Sequence, residues 1–155
     1  MLLIYCFLNN INPDNIIVLI LDYNELTDIS GIKLFKNTEK LWLAYNNTQI
    51  DISVLKYLNK LKDLDLSNNK ITDISVLKYL TNLKNLNISC NLIYDISIVK
   101  NLVNLEILDI DYLELEFDQI KYINSCKNLK ELWCNKGFKD IFVINKLNKN
   151  IRLIK

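Results

Sequence analysis

The chain has 155 residues, half of them hydrophobic and about a quarter charged, a composition that fits one folded domain and excludes a disordered segment. Lys and Arg number 19 against 18 Asp and Glu, a balance that argues against a surface made for nucleic acid or an anionic membrane. No histidine is present, so the commonest general base and metal ligand is missing, and Cys6, Cys90, Cys126 and Cys134 show no metal-site spacing. From these facts no enzyme activity, cofactor, metal or small-molecule substrate is expected.

The N-terminal run MLLIYCFLNN is apolar for only a few residues and has neither a basic flank nor a small-residue cleavage site. It is too short to span a membrane, and an intracellular, cytoplasmic protein with free thiols is the expectation. Residues 1–15 read as an N-terminal cap or a partial repeat. Residues 2–8 would cover the exposed edge of the body that starts at residue 16, and Pro13 with Asp14 would form the turn into it.

From residue 16 the sequence paraphrases itself. The unit 61–82 sets the pattern, with Leu61, Leu64, Leu66, Ile71, Ile74, Leu77 and Leu80 apolar and Asn69 at its ninth position. Six such units are expected, at 16–37, 38–60, 61–82, 83–104, 105–128 and 129–150, with 151–155 opening a seventh. The ninth position holds Asn24, Asn46, Asn69 and Asn91, then Leu113 and Gly137, which break the series. Physically, the LxL at the fourth to sixth positions is a short strand whose leucines face inward. The third, fifth and seventh positions then face outward. One unit cannot bury its own apolar side, so neighbours must stack.

This pattern, LxxLxLxxNxIxDISxLxxLxx, resembles the leucine-rich repeat family, in its short class of about 22 residues. The class is found in the leucine-rich regulatory subunit of a Ser/Thr phosphatase and in bacterial internalins. The resemblance implies an α/β solenoid. Its form would be a right-handed superhelix with a parallel β-sheet on the concave face and short turns or 3-10 segments on the convex face. It also implies that the repeated asparagines turn the chain away from the sheet by bonding backbone inside the turn. Asp28, Asp51, Asp73 and Asp95, each followed two residues later by serine, read as capping residues, because no base completes a catalytic set.

In this family the outward strand residues and the turn after them line the usual binding surface. The fifth position reads Ile20, Trp42, Asp65, Asn87, Asp109 and Trp133 down the stack, so both tryptophans share one column. The expected site comprises Tyr23, Trp42, Tyr45, Asp63, Asp65, Asn87, Asp109, Asp111, Tyr112 and Trp133. Aromatic anchors with carboxylates between them suit a partner protein with a basic segment. Asp65 and Asp109, about 10 Å apart by strand spacing, are too distant to share a metal ion. A second column, Lys33, Lys56, Lys78, Lys100 and Lys121, could dock an anionic membrane or nucleic acid. Duplication of a lysine-bearing unit explains it more simply. A regulatory subunit of a phosphatase-like enzyme is a further alternative, as is self-association through an open C-terminal strand edge.

Overall fold

The computed structural model describes residues 11–46, 49–136, 138 and 145–154; the apolar stretch 2–8, Cys6 and Gly137 lie outside these. In each of the six units a three-residue strand forms over the third to fifth positions, one residue earlier than the LxL triplet or its local variant, with the first leucine of the triplet at its centre. The strands are β1 (Val18–Ile20), β2 (Lys40–Trp42), β3 (Asp63–Asp65), β4 (Asn85–Asn87), β5 (Ile107–Asp109), β6 (Glu131–Trp133) and β7 (Arg152–Ile154). They pair in parallel and in chain order to give one seven-stranded sheet. Register is set by the central apolar residue, which pairs with its counterpart from Leu19 and Leu41 through Leu132 and Leu153. A slip of one residue would turn these leucines outward and the charged neighbours inward.

The return path lies opposite the sheet and is short, as the repeat length requires. It uses 3-10 segments at Ser30–Leu34, Ile52–Tyr57, Ser75–Tyr79 and Ser97–Asn101. In each case an aspartate Oδ1 accepts the backbone N–H of the serine two residues on. The distances are 2.7 Å for Asp28 and Ser30, 2.9 Å for Asp51 and Ser53, and 2.7 Å for both later pairs. These bonds hold the Asp28 and Asp51 carboxyls below their ordinary pKa. Pro13–Asn15 forms a 3-10 turn before β1, where the sequence placed one.

Between the sheet and the return path runs one apolar core. Leu61, Leu64, Leu66, Leu77 and Leu80 contribute from a single unit, and Leu83, Leu86 and Ile88 from the next. Each such side chain contributes about 1.5–3 kcal/mol on leaving water. The unit after β5 departs from the plan. Its two additional residues are accommodated by a 3-10 turn at Phe117–Gln119 running into a true α-helix, α1 (Ile120–Ser125). Ile120 and Ile123 of α1 are buried, so the helix replaces a 3-10 segment without opening the core.

The asparagines behave as expected from Asn46 onward. Asn69 is buried and donates from Nδ2 toward the carbonyls of Leu43 (2.9 Å), Leu66 (3.0 Å) and Ser67 (3.1 Å), while its Oδ1 accepts the Asn46 N–H (3.1 Å). Asn91 repeats this toward Leu66, Ile88 and Ser89, and its Oδ1 accepts the Ile71 N–H. Asn24 departs from the expectation. It is exposed and its side-chain amide bonds only the Asp22 carbonyl, because among the described residues no earlier strand lies within reach of that amide; its own N–H donates to Asn46 Oδ1 at 3.2 Å.

Candidate functional site on the sheet face

The strands lay their third and fifth positions side by side on the outer face of the sheet. Register places Trp42, Asp65, Asn87, Asp109 and Trp133 on adjacent strands in one line. A second line runs through Lys40, Asp63, Asn85, Ile107 and Glu131. Trp42 and Trp133 bound a shallow groove of about 270 Å³, floored by Asp63, Asp65, Asn85, Asn87, Ile107 and Asp109. Of the residues the sequence singled out, the groove thus gathers six: Trp42, Asp63, Asp65, Asn87, Asp109 and Trp133.

The two tryptophans are held differently. Trp42 is half-buried and its indole Nε1–H donates to Asp63 Oδ1 at 3.3 Å. Trp133 keeps 42% of its surface exposed, too much for a ring serving only to seal the core. The tyrosines sit beyond the groove. Tyr23 and Tyr45 stack with centroids 4.5 Å apart and planes 8° from parallel. Tyr112 carries Lys136 Nζ over its ring at 5.2 Å.

The fifth position also has a structural duty that the sequence reading missed. Oδ1 of Asp65 accepts the Ser67 N–H at 2.8 Å, Asn87 does the same for Ser89 at 3.0 Å, and Asp109 for Asp111 at 2.9 Å. Each bond is an Asx turn that bends the chain off the strand. The bend leads into a residue of positive φ at the eighth position: Asn68 at 54°, Cys90 at 52° and Tyr112 at 56°. Tryptophan cannot make this turn. Where Trp42 stands, Asp22 Oδ1 reaches from the preceding unit to the Ala44 N–H at 2.7 Å. Where Trp133 stands, Asp111 Oδ1 reaches forward to the Lys136 N–H at 2.8 Å. Asp111 is half-buried with its Oδ1 bound to backbone, and it stands outside the lining of the groove.

The seventh position departs from its expected outward orientation. Ala44, Ser67 and Ser89 are buried, because the chain has already left the strand at that point and its alternation no longer holds. Asp109 is the strained member of the groove. Burial raises its pKa, and repulsion from Asp111 and Asp65 adds to this against the opposing Asp111 N–H. Asp22 is raised as well, by burial and by Asp65.

Basic residues differ sharply between the two sides. Beside the groove Lys62 pairs with Glu39 at 2.8 Å, Lys84 with Glu106 at 3.3 Å, Lys130 also with Glu106, and Arg152 with Glu131. Lys84 and Lys130 together hold Glu106 below its ordinary pKa. On the return side Lys33, Lys56, Lys78 and Lys100 make no ion pair with a described residue, and Lys56 and Lys78 lie over the rings of Tyr57 and Tyr79. Lys121, on α1, breaks this column by pairing with Asp118 of the preceding 3-10 turn at 3.2 Å. A larger groove of about 350 Å³ lies on that side between the Asp51 and Asp73 loops, but its aspartates are already bound to backbone as caps. No group of metal ligands exists among the described residues, and no described helix is long and apolar enough to cross a membrane.

The chain matches a family model described as Leucine Rich repeats (2 copies), over residues 39–79 and 59–100. An internalin of Listeria monocytogenes is structurally similar with a TM-score of 0.74 and 30% identity. The match covers 83% of this chain and 37% of that one. Internalin C2 of the same species gives a TM-score of 0.71 and 31% identity, covering 88% of this chain and 60% of the other. A Leptospira interrogans protein of the same repeat type shares the fold, with a TM-score of 0.71 at 24% identity over 93% of this chain and 38% of that one. The chain thus spans less than two thirds of the length of each. No curated protein matched the sequence.

Proposed function

We propose that the chain, which is a leucine-rich-repeat protein, serves as a non-catalytic module that takes another protein on its concave sheet face. One observation carries the reading. The groove between Trp42 and Trp133 keeps negative charge that the fold does not require. Asn87 makes the same Asx turn as Asp65 and Asp109 without a charge, so asparagine would serve all three turns. Burial raises the pKa of Asp109 and the neighbouring carboxylates add to the rise, a cost that a cationic partner would offset. Flanking indoles supply the apolar anchors such a partner needs. A basic segment of another protein, including an enzyme that this chain would regulate, suits that arrangement.

The test is affinity capture with the wild type and a Trp42→Ala, Asp65→Asn variant, which removes an anchor and a charge but keeps the turn. Specific partners should be captured at least about 10-fold less well by the variant. An unchanged set of captured proteins would refute the assignment to this face.

A second reading rests on the return side, where Lys33, Lys56, Lys78 and Lys100 lack the glutamates that neutralise the sheet-side lysines. Such a row would attract an anionic surface. Sedimentation with phosphatidylserine vesicles against neutral ones, at two salt concentrations, separates this reading from the first.

A further inference from the structure

The carboxylate oxygens of the groove are not equivalent. Asp63 uses both, Oδ1 for the Trp42 indole and Oδ2 for Asn85 Nδ2 at 3.3 Å. Asp65 also uses both, Oδ1 for the Ser67 N–H and Oδ2 for Asn87 Nδ2 at 3.3 Å. Asp109 uses Oδ1 for the Asp111 N–H, and no described residue donates to its Oδ2. Asp109 lines the groove, and its side chain is half-buried. Its neighbour in register is Trp133, one strand away and therefore about 4.8 Å along the sheet. Trp42, at the other end, has its indole N–H tied to Asp63, whereas no described partner is found for the Trp133 indole.

We infer that the Asp109–Trp133 end of the groove seats one arginine side chain of the partner's segment, an inference that rests on the sheet face being the binding surface. A guanidinium can lie flat on an indole face and at the same time donate an N–H sideways to a carboxylate. A lysine ammonium is a more strongly hydrated point charge and gains less from the ring. Ile107, on the same strand as Asp109, adds an apolar wall that would cover the arginine's methylenes. Three residues further along the same two units, the chain already sets a cation of its own on an aromatic ring, Lys136 over Tyr112. Asp65 lies two strands from Asp109, about 10 Å, so it adds long-range attraction but cannot share the same guanidinium. The other end is built for an uncharged anchor, since Trp42 is partly covered and its nearest carboxylate is already satisfied at both oxygens.

The probes are acetyl-Gly-Arg-Gly-amide and the same peptide with citrulline, which keeps the planar shape and removes the charge. Titration is followed by the two indole N–H resonances in a ¹H–¹⁵N spectrum, assigned with Trp133→Phe. The arginine peptide should shift the Trp133 resonance saturably, and the citrulline peptide should bind at least about 10-fold more weakly. Asp109→Asn should abolish the difference between the peptides while leaving the spectrum folded, since Asn87 shows that an amide makes the same turn. Equal response to both peptides, a response at Trp42 in place of Trp133, or an undiminished response in Asp109→Asn would overturn the seat. Partner capture still lost in the Trp42→Ala, Asp65→Asn variant would then show that the face binds without this seat. Capture that is also unchanged would remove the face itself.

Discussion

The turns after β3 and β4 and the turn after β5 solve one problem in two ways. After β3 and β4 a buried asparagine, Asn69 or Asn91, bonds three backbone carbonyls and one N–H that would otherwise be buried without partners. After β5 the same position is Leu113, fully buried beside Leu115, and the backbone closes on itself through Leu113 N–H to Ile110 O and Leu115 N–H to Leu113 O. The first solution links successive units through a polar thread. The second ends the thread and lets an apolar loop and α1 take over. Uniform strand spacing therefore does not require uniform turn chemistry, and the two closures should respond oppositely to the same exchange.

Asn69→Leu should have the largest effect. It strips partners from buried backbone groups in two neighbouring units, and a loss of about 3–4 kcal/mol in urea unfolding is expected. Leu113→Asn, the reverse exchange, puts an amide into an apolar closure that offers it no ladder, with an expected loss of about 2–3 kcal/mol. Were Leu113→Asn neutral, the two closures would be interchangeable and the contrast would fail. The smallest effect is at Asp109. Its folded pKa is raised, so the stability associated with its proton is fully present below the ordinary carboxylate pKa and is lost as pH rises through the folded value. Asp109→Asn should therefore raise the urea-unfolding free energy at pH 7 slightly, by about 0.5 kcal/mol or less, and the gain should vanish near pH 3. A gain that persists at pH 3 would place its origin outside the carboxylate charge.

Most of the scaffold could be read from the letters that repeat. LxL fixed the strands and their register because a slip would reverse every leucine, and the DIS triplet announced its caps because Asp and Ser have few other uses there. The groove was half legible. Placing Trp42 and Trp133 in one column needed only the repeat count. The Asx turns at Asp65, Asn87 and Asp109 were hidden because the same side chains also face outward, and a residue type does not say which of its two oxygens is engaged. The burial of Ser67 and Ser89 was misjudged for a related reason: strand alternation was carried one step past the end of the strand. α1 was missed because two additional residues in a unit do not state how the longer path will coil.

The asparagine thread also has a direction. Asn46 reaches back to the Leu21 carbonyl, Asn69 to Leu43 and Asn91 to Leu66, so each unit finishes the turn of the one before it. The units of β1, β2 and β3 are therefore not self-sufficient at their own turns, and the asparagine that completes each one stands 25 or 26 residues downstream of the carbonyl it serves. Deleting a whole unit from the middle keeps the reading frame of the thread, since the next asparagine can serve the new predecessor. Deleting the last asparagine-bearing unit leaves its predecessor facing a leucine that has nothing to donate. The repeats look interchangeable in sequence, but their order carries information that no single copy contains.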